Sequence, residues 1–190
     1  MESIHKLVLH PCSAAYAPPS WSTIKAALRE IGFVGDKFGA SQESNYYVGD
    51  NFLQLVTFMG CSPAIDVSPQ SENTAGACYV QFKLMTDIQF RYTHQYEVRA
   101  QCPRCGGHVA SWREYIDSWR NDSNMTQFVC EKCENSGSIF SLGWRKRAGF
   151  ACLFIDIYNI YPQEGIPTEQ LLTVLEETTQ QKWTYFFSND

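Results

Sequence analysis

Two short cysteine pairs in the middle of this 190-residue chain constrain its folding more than any other feature: C-P-R-C at Cys102–Cys105 and C-E-K-C at Cys130–Cys133. Two cysteines three positions apart can turn both sulfurs toward one point, and the N–H groups of the tight turn then donate to them. Gly106 and Gly107 permit the left-handed backbone that such a turn needs. Two turns of this kind supply four thiolates in a tetrahedron, the geometry zinc accepts in closed structural sites. With eight cysteines in the chain, chance provides only about a third of one such pair, and two are present. Cys12, Cys61, Cys78 and Cys152 form no pair. Cys102, Cys105, Cys130 and Cys133 are therefore the expected metal ligands, with Zn2+ as a structural cofactor. Four thiolates leave zinc no open position, so such an ion cannot activate water. Rubredoxin-type iron suits the same ligands, and two redox dithiols or four unrelated core thiols are the remaining readings.

The segment resembles a zinc ribbon over about residues 100–143. C-P-R-C-G at Cys102–Gly106 matches the family's first knuckle. The second pair departs from it, because Glu134 stands where a ribbon knuckle often has glycine; this substitution also weakens the iron reading. The interval between the pairs exceeds the roughly 15–20 residues usual for the pattern, as expected if a helix is inserted between the knuckles. The resemblance implies metal binding and contacts with nucleic acid or protein, and the fold alone implies no particular function.

Periodicity places elements on both sides of this module. Ile4–Leu9 reads as a short strand. Trp21, Ile24, Leu28 and Ile31 recur at helical spacing, with Gly32 as the stop. Asn51–Met59 reads as a buried strand ended by Gly60, Cys61, Ser62 and Pro63, and Ser68–Gly76 as an exposed loop. Cys78–Leu84 and Ile88–Tyr92 both alternate, and Met85, Thr86 and Asp87 between them predict a hairpin. Ser111 and Glu114 form a capping-box pattern before a stripe of Trp112, Tyr115, Ile116 and Trp119. Phe150–Tyr158 is a strand, Thr168 caps a helix carrying Leu171, Leu172 and Leu175, and Trp183–Phe187 closes the chain as a strand. The expected fold class is α+β: a mixed, mainly antiparallel sheet with about three helices and an embedded four-cysteine ribbon. Residues 1–190 are read as one domain, since neither flank alone is large enough for an independent core.

Charge narrows the partners. The chain carries a net charge of −5, which argues against wholesale phosphate binding. Only residues 81–150 are basic on balance, with ten Lys and Arg against seven Asp and Glu. No stretch approaches the ~20 apolar residues of a membrane span. The N-terminus has neither a positive n-region nor a long apolar run, so no secretory signal is expected. Reduced thiols fit a cytoplasmic location.

Other candidates compete with plainer roles. His108 follows Cys105 closely but is expected at the surface. His94 and Glu97 before Cys102 resemble parts of the zinc-deaminase signature, with the wrong spacing and no place for the second cysteine pair. Cys61, at a strand end, is a nucleophile only if the fold brings His5, His10 or His94 to it; a buried inert thiol is the plainer reading. Arg104, Lys132, Arg145, Lys146 and Arg147, with Arg91 and Arg99, can make a basic face, and Trp112, Trp119 and Trp144 can stack on bases. The plainer reading keeps those tryptophans in the core. Gly32–Gly39 lacks the order of a phosphate-binding loop. The leading reading is a non-catalytic zinc-stabilised scaffold that contacts another protein. A nucleic-acid-binding accessory protein is the second, and an enzyme or redox sensor centred on Cys61 is the third.

Overall fold

The computed structural model describes residues 4–38, 45–58, 65–67, 76–94, 98–161 and 164–189. In chain order the elements are β1 (His5–Pro11), α1 (Ser22–Glu30), β2 (Val34–Phe38), β3 (Asn45–Val48), α2 (Phe52–Leu55), β4 (Val56–Phe58), β5 (Tyr79–Tyr92), β6 (Ala100–Gln101), β7 (His108–Val109), α3 (Trp112–Asn121), β8 (Gln127–Val129), β9 (Ser136–Ser138), β10 (Ala148–Tyr158), β11 (Gly165–Pro167), α4 (Glu169–Thr179) and β12 (Trp183–Asn189). This is an α+β fold. Six strands form an antiparallel sheet in the order β12-β1-β10-β5-β3-β2, and three two-stranded ladders stand beside it. No helix among the described residues is long and apolar enough to cross a membrane.

The helices begin and end where local chemistry dictates. After α1 the Gly32 N–H donates to Arg29 O and the Phe33 N–H to Leu28 O, with Gly32 at φ +73°. This paired closure needs a left-handed residue just past the helix. Gly32 of the Gly32–Gly39 stretch thus serves a helix end. The Thr168 hydroxyl accepts from Leu171 N–H at 3.3 Å and caps α4, whose Leu171 and Leu175 are buried. Four helices are present where about three were expected, because the predicted strand Asn51–Met59 splits. Phe52 and Leu55, three apart, are both buried by one helical turn while Leu53 and Gln54 face solvent; among the described residues of that segment only Val56–Phe58 is extended, pairing with β11.

The hairpin expected around Met85–Asp87 does not form. Residues 79–92 are one strand, and both halves pair with β10: Leu84 lies opposite Leu153 and Gln89 opposite Ala151. Residues 85–88 therefore bulge outward against Cys152 alone. Met85, Thr86 and Asp87 include no glycine or asparagine for the positive φ of a tight hairpin turn, whereas β10 is buried along its whole length and needs a neighbour on each side. Lys83 and Arg91 lie on opposite sides of the bulge, yet both reach Asp156. Their shared face means that Phe82 and Phe90 share the other.

That second face carries two hydrophobic clusters. One joins Leu7, Val80, Phe82, Leu153 and Ile155 to Ile24, Leu28, Leu171 and Leu175 of α1 and α4. The other joins Phe90, Phe150 and Ala148 to Trp112, Ile116, Phe128, Trp144, Cys102 and Cys130. The sheet bends over its opposite face. Thr93, just past β5, donates from Oγ1 to Asn189 Oδ1 in β12 at 2.7 Å, although two strands separate β5 from β12. Phe187 N–H donates to Lys146 O at 3.1 Å. Enclosed there are Val8, Ala151, Phe154 and Phe186, together with the polar Lys6, His10, Gln81 and Asp156.

Candidate metal centre

The two cysteine pairs fold into matching knuckles. In the first, Cys102 N–H donates to Gly107 O and Gly106 N–H to Cys102 O; in the second, Cys130 N–H donates to Asn135 O and Glu134 N–H to Cys130 O. Gly106 lies at φ +67° and Glu134 at φ +57°. Glu134 thus takes the same left-handed position that glycine holds in the first knuckle, at a cost of about 1–2 kcal/mol for a residue with a Cβ. Each knuckle joins a two-stranded ladder, β6–β7 and β8–β9. Gln101 and Gly143 exchange both backbone hydrogen bonds. Helix α3 occupies the long interval between the knuckles.

The four sulfurs converge. Cys102 Sγ lies 3.8 Å from Cys133 Sγ, Cys105 Sγ lies 3.7 Å from Cys130 Sγ, and all four lie within 4.8 Å of one another. A tetrahedron with metal–sulfur bonds of ~2.3 Å has edges of about 3.8 Å, and all four thiols are free. Four cysteines are therefore positioned to hold one metal ion. Backbone N–H groups help: Gly107 N–H points at Cys105 Sγ at 3.4 Å. The Cys105 amide, and after it the Arg104 amide, help pull the Cys102 thiol down to about 7. Asn135's amide favours the Cys133 thiolate, but burial and the three other sulfurs push this thiol upward. Four thiols this close do not all ionise unless a cation sits among them, so the donor set fits a tetrathiolate metal.

Helix α3 starts differently from the sequence expectation. Ser111 occupies the N-cap position but its hydroxyl makes no capping bond. The Ser111 N–H donates instead to Glu131 Oε1 at 3.1 Å. Burial opposes ionisation of Glu131, and the backbone amides of Glu131, Ser111 and Ala110 overcome it, holding the carboxyl below the usual range. Glu131 lies between the two cysteines of its own knuckle and ties the helix start to the centre. Only its position inside C-E-K-C marked it in the sequence. Tyr115 Oη bridges back to Val129, accepting from its N–H and donating to its carbonyl.

The other candidates disperse. His108 is exposed in β7 and outside the sulfur cluster. His94 is exposed beside Tyr92, and Glu97 and Cys61 lie outside the described residues. Arg91 does not belong to a basic face: its guanidinium grips buried Asp156 at 2.7 and 2.9 Å. Trp112 and Trp144 are buried and Trp119 is partly so, all packed in the second cluster, which leaves no open stacking platform. Arg104, Lys132, Arg145 and Lys146 are exposed. Burial raises the thiols of Cys12, Cys78 and Cys152, so none of these is an activated nucleophile.

His10 is the one buried histidine of the bent face, at 5% exposure. Burial first, then the charges of Lys146 and Arg91, lowers it to about 4 against a 2.9 Å bond from Nδ1 to Pro11 O. The folded state therefore holds it neutral. As pH falls from 6.5 toward 4 the unfolded chain gains a proton here that the folded chain refuses, and roughly 3 kcal/mol of stability is lost across that window. Unfolding midpoints measured at each pH in wild type and His10→Gln check this; equal slopes in the two proteins would refute it.

No family model matches this sequence, and neither the curated proteins nor the solved structures provide a match.

Proposed function

We propose that Cys102, Cys105, Cys130 and Cys133 hold one structural Zn2+ ion, and that the chain is a zinc-stabilised binding protein whose partner is another protein. The convergence of four free sulfurs within 4.8 Å carries this reading. The ion would sit under the second hydrophobic cluster, where Cys102 and Cys130 are part of the packing, and four thiolates give it a holding role rather than a catalytic one. A reducing compartment such as the cytoplasm keeps these ligands available. The β8 hairpin exposes Val129, and the turn before it Met125, at 48% and 55%, an apolar edge suited to a protein contact. Strands β5 and β10 run through both clusters, which supports reading residues 1–190 as one folding unit. Nucleic-acid binding is the weaker reading because the tryptophans it needs are packed inside.

The test combines metal analysis with binding. Native mass spectrometry of the purified chain is expected to show one zinc per chain, lost in Cys102→Ser. Iron, or no metal, would overturn the assignment. Salt-sensitive retention on an oligonucleotide column, with no protein partner recovered by cross-linking in the cells of origin, would replace the protein-binding reading.

A further inference from the structure

Beside the ribbon lies a pocket of about 280 Å³ whose described walls are Arg99, Trp144, Arg145 and Arg147. We propose that it binds a phosphate-monoester group, a site separate from the metal centre. Three of the described walls are arginines, and none is acidic. Trp144 is only 7% exposed, yet its indole N–H has no hydrogen-bond partner among the described residues. A buried donor left unpaired loses its hydration without compensation, and such a group calls for an explanation, an absent water or anion among them.

The chemistry selects the ligand. The indole is a donor only, and each guanidinium offers five donors in a rigid fork. Arg99 and Arg147 also hold other contacts within the chain, and a five-donor group keeps capacity for a further acceptor. Together the walls present more donors than a single carboxylate can accept, whereas a monoester dianion brings three strong acceptor oxygens. A nucleic-acid base is disfavoured. The Trp144 ring packs 4.9 Å from Phe90, 5.4 Å from Trp112 and 6.0 Å from Phe150, so it offers no free face for stacking.

The turn that delivers these side chains is itself unusual. Arg147 N–H donates to Trp144 O at 3.0 Å, while Arg145 and Lys146 lie at φ +49° and +60°. This backbone is normally occupied by Asn and Gly; here two long cationic residues hold it, at a cost of order 1–3 kcal/mol each. A second pocket of about 290 Å³ shares Trp144 and Arg145 with the first.

The test follows the five indole N–H resonances of the zinc-loaded protein by heteronuclear NMR. Inorganic phosphate, phenyl phosphate and a phosphoserine peptide are titrated at constant ionic strength. One resonance, assigned to Trp144 by its loss in Trp144→Phe or by through-bond correlation in the wild type, is expected to move saturably. Arg145→Gln and Arg99→Gln are expected to weaken binding at least tenfold, the loss typical of about 1.5 kcal/mol for a charged hydrogen bond, with unchanged melting in Arg145→Gln. Arg120→Gln on α3 should bind as wild type. Tighter binding of phenyl phosphate than of the peptide assigns the source to a small molecule, and the reverse order to a phosphorylated protein; either supports the site. Absence of a saturable shift, an equal shift with chloride, or oligonucleotide binding that leaves Trp144 unmoved would overturn it.

Discussion

Replacing Cys105 with serine, or stripping the ion with a strong chelator, is expected to unfold the ribbon and much of the sheet beneath it. Structural tetrathiolate zinc is worth roughly 10–16 kcal/mol apparent, comparable to the whole stability of a domain, about 5–15 kcal/mol. The coupling to the rest of the protein is physical. Cys102 and Cys130 pack in the same cluster as Phe90 and Phe150, and those two residues stand on β5 and β10, the central strands of the sheet. Unpinned knuckles would also bring thiols together without the cation that balances them. Circular dichroism melts with and without chelator, followed by restoration with added zinc, read the effect. A melting temperature unchanged after verified metal removal would show that the ion is dispensable.

Changing Arg91 to methionine is expected to cost about 3–5 kcal/mol, the penalty of stranding a buried charge. Asp156 is fully buried at 0% exposure; Arg91 binds both of its oxygens and Lys83 lies 3.1 Å away. Burial alone would raise this carboxyl. The Arg91 bonds and charge, and then Lys83, outweigh it and hold the group below the usual carboxylate range. A depressed folded pKa gives stability that is present above the unfolded value near 3.9 and lost as pH falls through the folded value. In Arg91→Met burial prevails and lifts the carboxyl above its unfolded value, so the variant's deficit relative to wild type should shrink as pH falls through that raised value and the buried carboxyl takes up a proton. Denaturant titrations from pH 7 to pH 4 measure both effects. Arg91→Met paired with Asp156→Leu should recover much of the stability, because the charge is then gone from both sides; failure of that rescue would show that the arginine matters for packing instead.

Local chemistry explains what was readable in the chain. The knuckles were legible because Cys102–Cys105 and Cys130–Cys133 each act over three residues, and the hydrogen bonds that shape them close within six. The inner faces of α1, α3 and α4 were legible because helical spacing alone lines up Ile24 with Leu28, Trp112 with Ile116, and Leu171 with Leu175. The expected capping box failed in its Glu114 half because a carboxylate twenty residues away, Glu131, takes the Ser111 N–H that Glu114 would have accepted. The predicted hairpin failed for a similar reason. Alternation on either side of Met85–Asp87 is the same whether the halves pair with each other or with β10.

The sequence by itself determined that four sulfurs come in two local turns and that three helices each have one apolar stripe, since spacing along the backbone dictates both. Only the tertiary structure decided that β10 runs beneath both clusters, that Asp156 is buried with Arg91, and that Trp144 meets three arginines at one pocket. Those outcomes depend on strand register between segments far apart in the chain, where a single bulge opposite Cys152 keeps Phe82 and Phe90 on the same side of the sheet.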